Sequence, residues 1–222
     1  MKISKEKLIV LTVILLSGFL SFYKLGLQDV YEWDESRNGV NAFEMLHNND
    51  YVNLYFAGQL DTWNNKPPLL IYCIIISYKI FGLNQFALRF PSALATILFF
   101  YCCYKLFSLY TKNSTAFLGC IILMSCKGII GFHAGRTGDF DALLLLFLTA
   151  SLYFFLKYHD FNYKKGIYLF SIFMGLAFLT KGVAAFLILP GLFIYVMMRR
   201  KLKELLFFKH TWYSLIIFTG IV

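Results

Sequence analysis

Residues 141–158 read DALLLLFLTASLYFFLKY, an apolar run in which only Asp141 and Lys157 carry charge. A helix of about 20 such residues crosses the hydrocarbon core of a bilayer, whereas a helix on a soluble protein needs a polar face that this run lacks. Further apolar runs cover residues 8–26, 91–110, 115–132, 166–181 and 183–198, and an incomplete one covers 211–222. Of the 222 residues, 59% are hydrophobic and 15% are charged, which excludes a soluble globular domain, a disordered chain and a disulfide-stapled secreted module. The predicted fold is all-α, a polytopic transmembrane helical bundle.

The basic residues predict how this bundle is oriented, because loops rich in lysine and arginine stay on the cytoplasmic side. If residues 69–82 do not cross the membrane, thirteen of the 21 basic residues fall on the side of the N-terminus. Seven of the twelve acidic residues then fall on the opposite side, within residues 27–68. We therefore expect a multi-pass protein of the cell (plasma) membrane with a cytoplasmic N-terminus and an outer loop over residues 27–90. The thirteen basic residues are Lys2, Lys5, Lys7, Lys105, Lys112, Lys157, Lys164, Lys165, Arg199, Arg200, Lys201, Lys203 and Lys209.

Residues 69–82 are apolar but short. Pro68 precedes them and Lys79 interrupts their end. The uninterrupted part would form about 20 Å of helix, against about 30 Å of hydrocarbon. We interpret this run as an interfacial or re-entrant juxtamembrane helix in the outer loop. The run 211–222 is also too short to span a membrane, so we expect the chain to be the N-terminal part of a longer membrane domain whose C-terminal part is missing.

The predicted topology collects the unusual polar residues at the outer membrane interface, where ionisable groups are costly and indicate a functional site. Cations there suit a lipid phosphate, which arginine can bind through two hydrogen bonds and lysine as a point charge. A neighbouring carboxylate suits a general base for an acceptor hydroxyl. A phosphate leaves without taking up a proton, so the pattern indicates sugar transfer from a lipid-phosphate carrier. The candidate residues are Asp34, Glu35, Arg37, Lys66, Arg89, Arg136, Asp139, Asp141 and Lys181.

Four stretches resemble, in their order, those of a known family. They are Asp34-Glu35-Ser36-Arg37, Lys66-Pro67-Pro68-Leu69, Arg89-Phe90-Pro91-Ser92-Ala93 and Arg136-Thr137-Gly138-Asp139-Phe140-Asp141. The chain resembles, over about residues 5–200, the polyprenyl-phosphate-sugar-dependent glycosyltransferases of the GT-C fold. Within these it is similar to the bacterial branch of the protein mannosyltransferase and aminoarabinose (lipid A) transferase superfamily.

The resemblance implies a role for each matched residue. Asp34 matches the proposed catalytic base, and Glu35 is its paired acid. Arg37 and Lys66 match cations near the carrier phosphate. Asp141 matches an aspartate of the second outer loop near the site, with Asp139 as the alternative. Arg89, Arg136 and Lys181 remain candidate contacts of the donor.

The resemblance also implies the partners: a polyprenyl-phosphate sugar donor, a lipid, glycan or protein acceptor, and the surrounding membrane lipids. We expect no nucleic acid and no required cofactor. A divalent cation is possible, because Asp34, Glu35, Asp139, Asp141 and His133 offer ligands, but no spacing among them is specific to a metal site. Two alternatives stay open, a non-catalytic lipid-phosphate-binding fragment or scaffold and, less favoured, a transporter. We interpret the five cysteines as small buried apolar residues.

Overall fold

The computed structural model describes residues 4–131 and 133–222, so Lys2 and Phe132 lie outside the described residues. Helices occupy most of this part, and the predicted helical bundle is confirmed. A 3₁₀ helix, Gly182–Ile188, joins α8 to α9. In chain order the elements are α1 Lys5–Phe22, α2 Asp34–Asn48, β1 Tyr55–Phe56, β2 Gln59–Leu60, α3 Leu69–Phe81, α4 Gln85–Phe107, α5 Asn113–Ser125, α6 Lys127–Ile130, α7 Asp141–Phe161, α8 Gly166–Lys181, α9 Leu189–Met198, α10 Leu202–Phe207 and α11 Lys209–Ile221.

Local sequence explains where several helices begin and end. The Ser4 hydroxyl accepts a hydrogen bond from the Lys7 amide at the start of α1, and the Asn84 side chain does the same for Ala87 at the start of α4. Asn49 and Asn162 adopt the left-handed conformation that ends α2 and α7. These four helix ends are therefore set by ordinary capping residues.

The bundle has two ends of opposite character. At the basic end, which we define by Lys105, Asp160 and Lys201, the start of α1 meets the end of α4 through a Lys105–Glu6 ion pair at 3.2 Å. The end of α7 meets the end of α9 there, because the Tyr195 hydroxyl donates to Asp160 at 2.5 Å. At the other end, the loops before α2 and α7 meet around Arg89, near the start of α4. We call this the loop end.

Three continuous helical segments within the described residues are long and apolar enough to cross a membrane: Gln85–Phe107, Asp141–Phe161 and Gly166–Met198. The last of these reverses direction, because Ile167 near its start and Val196 near its end pack in one apolar cluster. The reversal follows Lys181, where Gly182 adopts a φ of +57° that a side chain would make strained. Residues 166–181 and 183–198 therefore form two antiparallel arms, as two separate predicted spans would.

Helix α3 has both of its ends at the loop end. Its start follows Lys66, and Ser77 near its end donates a hydrogen bond to the Ala87 carbonyl at 2.6 Å. Pro91 lies inside α4 and has no N–H to offer that carbonyl, so the Ser77 hydroxyl replaces the missing helical bond. This substitution lets α4 begin at Gln85, six residues before the predicted start. The placement of α3 relative to a membrane stays a prediction.

Three local features differ from the sequence-based expectations. Residues 55–60 form a small antiparallel hairpin whose turn residues, Ala57 and Gly58, both have positive φ, as a tight primed turn requires. The apolar run 115–132 is a helix only to Ser125, and the backbone is extended at Cys126 before the short α6. Of the five free cysteines, Cys103 and Cys120 are buried, Cys73 and Cys102 are half-buried and Cys126 is exposed, so the predicted burial is wrong for Cys126.

Candidate active site

A polar cavity of about 430 Å³ opens at the loop end between the start of α2 and the segment before α3. Asp34, Arg37 and Lys66, three of the residues predicted from sequence, line it together. Asn38 lies beside them on α2, and residues 62–65 complete the wall. The structure thus brings the first two sequence motifs into one pocket, although about 30 residues separate them.

Asp34 and Lys66 form an open pair. The Lys66 Nζ lies 3.5 Å from the Asp34 Oδ1, and the two side chains keep 30% and 46% of their surface exposed. The Lys66 ammonium also lies 4.8 Å from the centre of the Phe140 ring, which orients it without consuming its hydrogen bonds. A long, solvent-accessible contact of this kind contributes little to stability. Both groups are therefore available to a ligand.

The backbone just before Asp34 is unusual. Trp33 has φ +69° and ψ −111°, a conformation that a bulky residue rarely adopts, and its side chain is 78% exposed. Strain of this kind concentrates at functional sites because the surrounding structure must hold it. Here it sets the direction in which α2 starts and therefore the position of Asp34.

Arg37 is held in place by a network that the sequence analysis did not identify. Its Nη1 donates to the buried Asp61 carboxylate at 2.7 Å. Asp61 also accepts from the Asn41 amide and from the Trp63 and Asn64 backbone amides. Burial opposes ionisation of Asp61, but these donors prevail and keep its pKa below the usual value.

Asn38, Asn41 and Asn64 extend this network across the pocket floor. The Asn64 amide donates to the Asn41 side chain at 2.8 Å, and the Asn38 amide donates to the Gly138 carbonyl at 2.9 Å. The signal for this floor was in the sequence, since Asn38 and Asn41 are three residues apart and so share a helix face. The network joins α2, the segment before α3 and the loop before α7.

Glu35 and Arg89 form a buried ion pair in which neither side chain has a hydrogen-bonding site left for another partner. Arg89 is fully buried and uses all five of its N–H groups. Its Nε donates to the Glu35 Oε1 at 2.7 Å, and its Nη2 donates to the Glu35 Oε2 at 2.9 Å. The other three donate to the backbone carbonyls of Leu25, Gln28 and Asp29, between α1 and α2. The Glu35 oxygens also accept from the Tyr31 and Gly138 amides.

This geometry corrects two expectations. Arg89 has no donor left for a carrier phosphate, and Glu35 has no oxygen free for proton transfer. Glu35 does pair with a cation, but the cation is Arg89 and not its neighbour Arg37. The pair ties the segment between α1 and α2, the start of α4 and the loop before α7 together, so the contacts of both residues are with the protein itself.

Arg136 and Lys181 also have protein partners. Arg136 donates to the Leu20 and Tyr23 carbonyls, which satisfies the exposed C-terminal carbonyls of α1. The structure therefore assigns Arg136 to a helix end and not to the polar cavity. Lys181 pairs with Asp141 at the first turn of α7, and both side chains stay about one third exposed. That pair lies next to the pocket, since Gly182 approaches Pro67.

Asp139 is buried beside His133, whose Nδ1 lies 2.7 Å from its Oδ2. Burial raises the pKa of Asp139, and nearby Asp141 and Asp34 add to the rise, while the His133 and Phe140 contacts oppose it. One ligand atom each from Asp34, His133 and Asp139 lie within 4.8 Å of one another. Two carboxylates and an imidazole at this separation could hold a divalent cation. Glu35 is committed to Arg89, so it could not join them.

Two glycines explain why the loop before α7 reaches this position. A Cβ on Gly135 would lie 2.3 Å from the Thr96 hydroxyl oxygen, and one on Gly138 would lie 2.8 Å from a Leu88 methyl group. Both distances are too short for a real side chain. The loop before α7 can therefore press onto α4 only with glycine at these positions, and this contact carries Asp139 to within reach of Asp34.

Comparison with known proteins places this arrangement in context. The chain is 35% identical over 202 residues to a protein of Aeromonas hydrophila subsp. hydrophila named undecaprenyl phosphate-alpha-4-amino-4-deoxy-L-arabinose arabinosyl transferase, covering 86% of this chain and 36% of that protein. Its fold is similar to the crystal structure of ArnT from Cupriavidus metallidurans bound to undecaprenyl phosphate, with a TM-score of 0.73, 19% identity and coverage of 96% of this chain and 40% of that one. It is also similar to the S. cerevisiae protein O-mannosyltransferase Pmt1-Pmt2 complex bound to the sugar donor, with a TM-score of 0.75, 20% identity and coverage of 100% and 32%.

These matches confirm the GT-C resemblance and the membrane character of the fold. The chain spans roughly two fifths or less of the length of these relatives. Residues 65–222, well over half of the chain, match a family profile. By this match the chain belongs to the dolichyl-phosphate-mannose-protein mannosyltransferase family.

Proposed function

We propose that this protein contributes the catalytic pocket of a membrane glycosyltransferase that moves a sugar from a polyprenyl-phosphate donor to an acceptor hydroxyl. One observation carries the proposal. Among the acid–base pairs that the described residues form at the loop end, Asp34–Lys66 is the one whose carboxylate and ammonium both line the polar cavity, whereas every hydrogen-bonding site of Arg89 is occupied. An accessible carboxylate next to an accessible ammonium is what proton transfer beside a phosphate requires.

The proposed reaction uses the pocket residues in distinct roles. The Asp34 carboxylate takes the proton of the acceptor hydroxyl while the acceptor oxygen bonds to the anomeric carbon of the sugar. The bond from that carbon to the phosphate oxygen breaks, and its electron pair leaves on the phosphate. Lys66 stabilises the departing charge as a point cation, and Arg37 contributes from the same wall. A base acting opposite the leaving phosphate inverts the anomeric carbon.

Other residues act through these two. Arg89 and Glu35 hold the loops, and Asp141 with Lys181 borders the pocket on the α7 and α8 side. Asp34, His133 and Asp139 could hold a divalent cation, which would supply further stabilisation of phosphate charge. The names of the relatives support a polyprenyl phosphate donor, and they leave lipid, glycan and protein acceptors open.

The orientation in the membrane is part of the proposal. We propose that the basic end faces the cytoplasm of the cell and that the loop end, with the acceptor, faces outward, because basic loops stay inside. Single cysteines at Asn49 and Asn162, in a cysteine-free background, test this with an impermeant maleimide on intact cells. Labelling at position 49 alone is expected, and labelling at position 162 alone would reverse the orientation.

The donor role of Lys66 predicts a specific loss. Lys66→Gln keeps a polar side chain, one atom shorter, but removes its charge, so binding of undecaprenyl phosphate should weaken about tenfold or more, since a charge-assisted contact is lost. Equilibrium binding to the purified protein in detergent measures this. Lys79→Gln is the matched control, because Lys79 is an exposed lysine of α3 whose Nζ lies near the Tyr51 hydroxyl. Equal weakening by both variants would mean general surface charge and not a site.

A further inference from the structure

A second polar cavity, of about 550 Å³, lies at the basic end, on the opposite side of the bundle from Asp34. The loop after α7 and the segment from α9 to α11 form its walls. Lys164, Lys201 and His210 line it, together with His159 and Asp160. None of these residues has a role in the proposed transfer reaction.

Among the side chains that the structure describes, which do not include that of Glu204, Asp160 is the acid lining this cavity, and its charge is already neutralised. Asp160 accepts from the hydroxyls of Tyr110 and Tyr195, from the His159 Nδ1 at 2.7 Å and from the Arg199 Nη2 at 3.4 Å. These donors use up the capacity of its carboxylate. The remaining charge presented to the cavity is therefore positive.

Some hydrogen-bond donors around the cavity have N–H groups that no acceptor in the described part of the protein uses. Within the part of the chain that the structure describes, Lys164 is exposed and forms no hydrogen bond or ion pair. Lys201 donates to the His159 carbonyl at 3.1 Å, which uses one of its three N–H groups. The His159 Nε2 is buried without a hydrogen-bond partner among the described residues, which is costly for a polar atom; since the Nδ1 donates to Asp160, the Nε2 of the neutral ring is an acceptor and is not counted among these donors. A polar ligand at this position would relieve that cost.

An apolar cavity of about 460 Å³ adjoins the polar one, and Leu205 lines both. Side chains of α8, α9 and α11 form its wall, including Phe170, Met174, Leu192 and Phe218. A positively charged cavity that continues into an apolar cavity matches a molecule with a phosphate at one end and a hydrocarbon chain at the other. It does not match a free anion, which gains nothing from the apolar part.

We propose that this pair of cavities binds an anionic glycerophospholipid of the surrounding leaflet, with the phosphate near Lys164 and Lys201 and an acyl chain in the apolar cavity. Basic pockets between membrane helices on the cytoplasmic side are suited to such headgroups, because the leaflet there is anionic. The site lies at the opposite end from the polar cavity of Asp34 and does not depend on the proposed transfer reaction. It would fix the ends of α7, α8 and α9 relative to one another.

The test is native mass spectrometry of the purified chain in detergent, titrated separately with phosphatidylglycerol, phosphatidylcholine, undecaprenyl phosphate and inorganic phosphate. Phosphatidylglycerol should bind most tightly, and Lys164→Gln with Lys201→Gln should weaken it about tenfold or more. Lys203→Gln is the matched control, since Lys203 lies in the same basic stretch but is exposed and lines neither cavity. Its effect should stay within about twofold, as for a surface charge.

A further variant addresses the apolar half. Leu206→Trp places bulk at an exposed residue that lines the apolar cavity, so it should weaken phosphatidylglycerol binding and leave the lipid-free melting temperature nearly unchanged. Because Lys164 is exposed, Lys164→Gln alone is expected to fold normally and to reproduce part of the loss. Equal binding of phosphatidylcholine, tighter binding of undecaprenyl phosphate or inorganic phosphate, or an equal loss in Lys203→Gln would each overturn the proposal.

Discussion

Replacing Asp34 with asparagine should abolish sugar transfer while donor binding persists. The substitution keeps the shape of the side chain and removes the carboxylate that takes the acceptor proton. Loss of a positioned general base costs about 10²–10⁴-fold in rate. Binding of undecaprenyl phosphate should stay the same or tighten slightly, because Lys66 loses a competing anion at 3.5 Å. Turnover of a radiolabelled polyprenyl-phosphate sugar and equilibrium binding, measured on the same preparation, separate the two effects.

The control for this experiment is Glu32→Gln. Glu32 is an exposed acid two residues before Asp34, and it does not line the polar cavity. Its removal should leave turnover within about twofold, as for a surface charge. Retained transfer in Asp34→Asn would remove Asp34 from the role of base, and the partly exposed Asp141 would be the next carboxylate to test.

Replacing Arg89 with methionine should destabilise the fold more than any other single change at the loop end. The variant leaves the Glu35 carboxylate buried without its cation and frees three backbone carbonyls. Breaking a buried ion pair by removing one partner costs about 3–5 kcal/mol of unfolding free energy. Thermal or denaturant unfolding of the purified protein in detergent measures this loss. Arg37→Met, whose side chain stays about a quarter exposed, provides the comparison and should cost less.

A double replacement shows what Arg89 does beyond its charge. Removing both partners of a buried ion pair is often nearly neutral, because no uncompensated charge remains. Here Arg89→Met with Glu35→Leu should stay unstable, since the carbonyls of Leu25, Gln28 and Asp29 and the amides of Tyr31 and Gly138 lose their partners as well. Recovery of wild-type stability in the double variant would contradict the positioning role assigned to the pair.

The helical architecture could be predicted from sequence because long apolar runs have few alternatives. Most of the predicted runs correspond to helices, and Asn84 and Asn162 mark boundaries by ordinary capping chemistry. The start of α4 could not be predicted, because Pro91 suggests a boundary. It is tolerated only through Ser77, a residue on another helix. The hairpin at residues 55–60 was missed because two-residue strands have too short a pattern to detect.

Several residues of the site could be predicted from sequence, but the ion pairs that they form with one another could not. The motifs correctly brought Asp34, Arg37 and Lys66 to one pocket. Glu35 was predicted to be the paired acid of Asp34, whereas Arg89, 54 positions along the chain, holds both of its oxygens. Whether an arginine binds a ligand or holds a loop depends on how many of its donors the fold consumes. That count is a property of tertiary structure, and for Arg89, whose five N–H groups are all engaged, it leaves no donor for a ligand.

The most direct test of the account is to find which residues the polyprenyl-phosphate donor touches. A photoreactive amino acid is placed at Asn65, an exposed residue of the polar cavity, and in separate variants at Asn49 beyond the end of α2 and at Asn162 in the basic-end cavity. The purified protein is then irradiated with radiolabelled undecaprenyl phosphate. The account predicts strong cross-linking from position 65, reduced by Lys66→Gln, and only background from positions 49 and 162. Cross-linking that is equal at all three positions, or strongest at position 162, would contradict the claim that the Asp34–Lys66 pocket is where the donor phosphate binds.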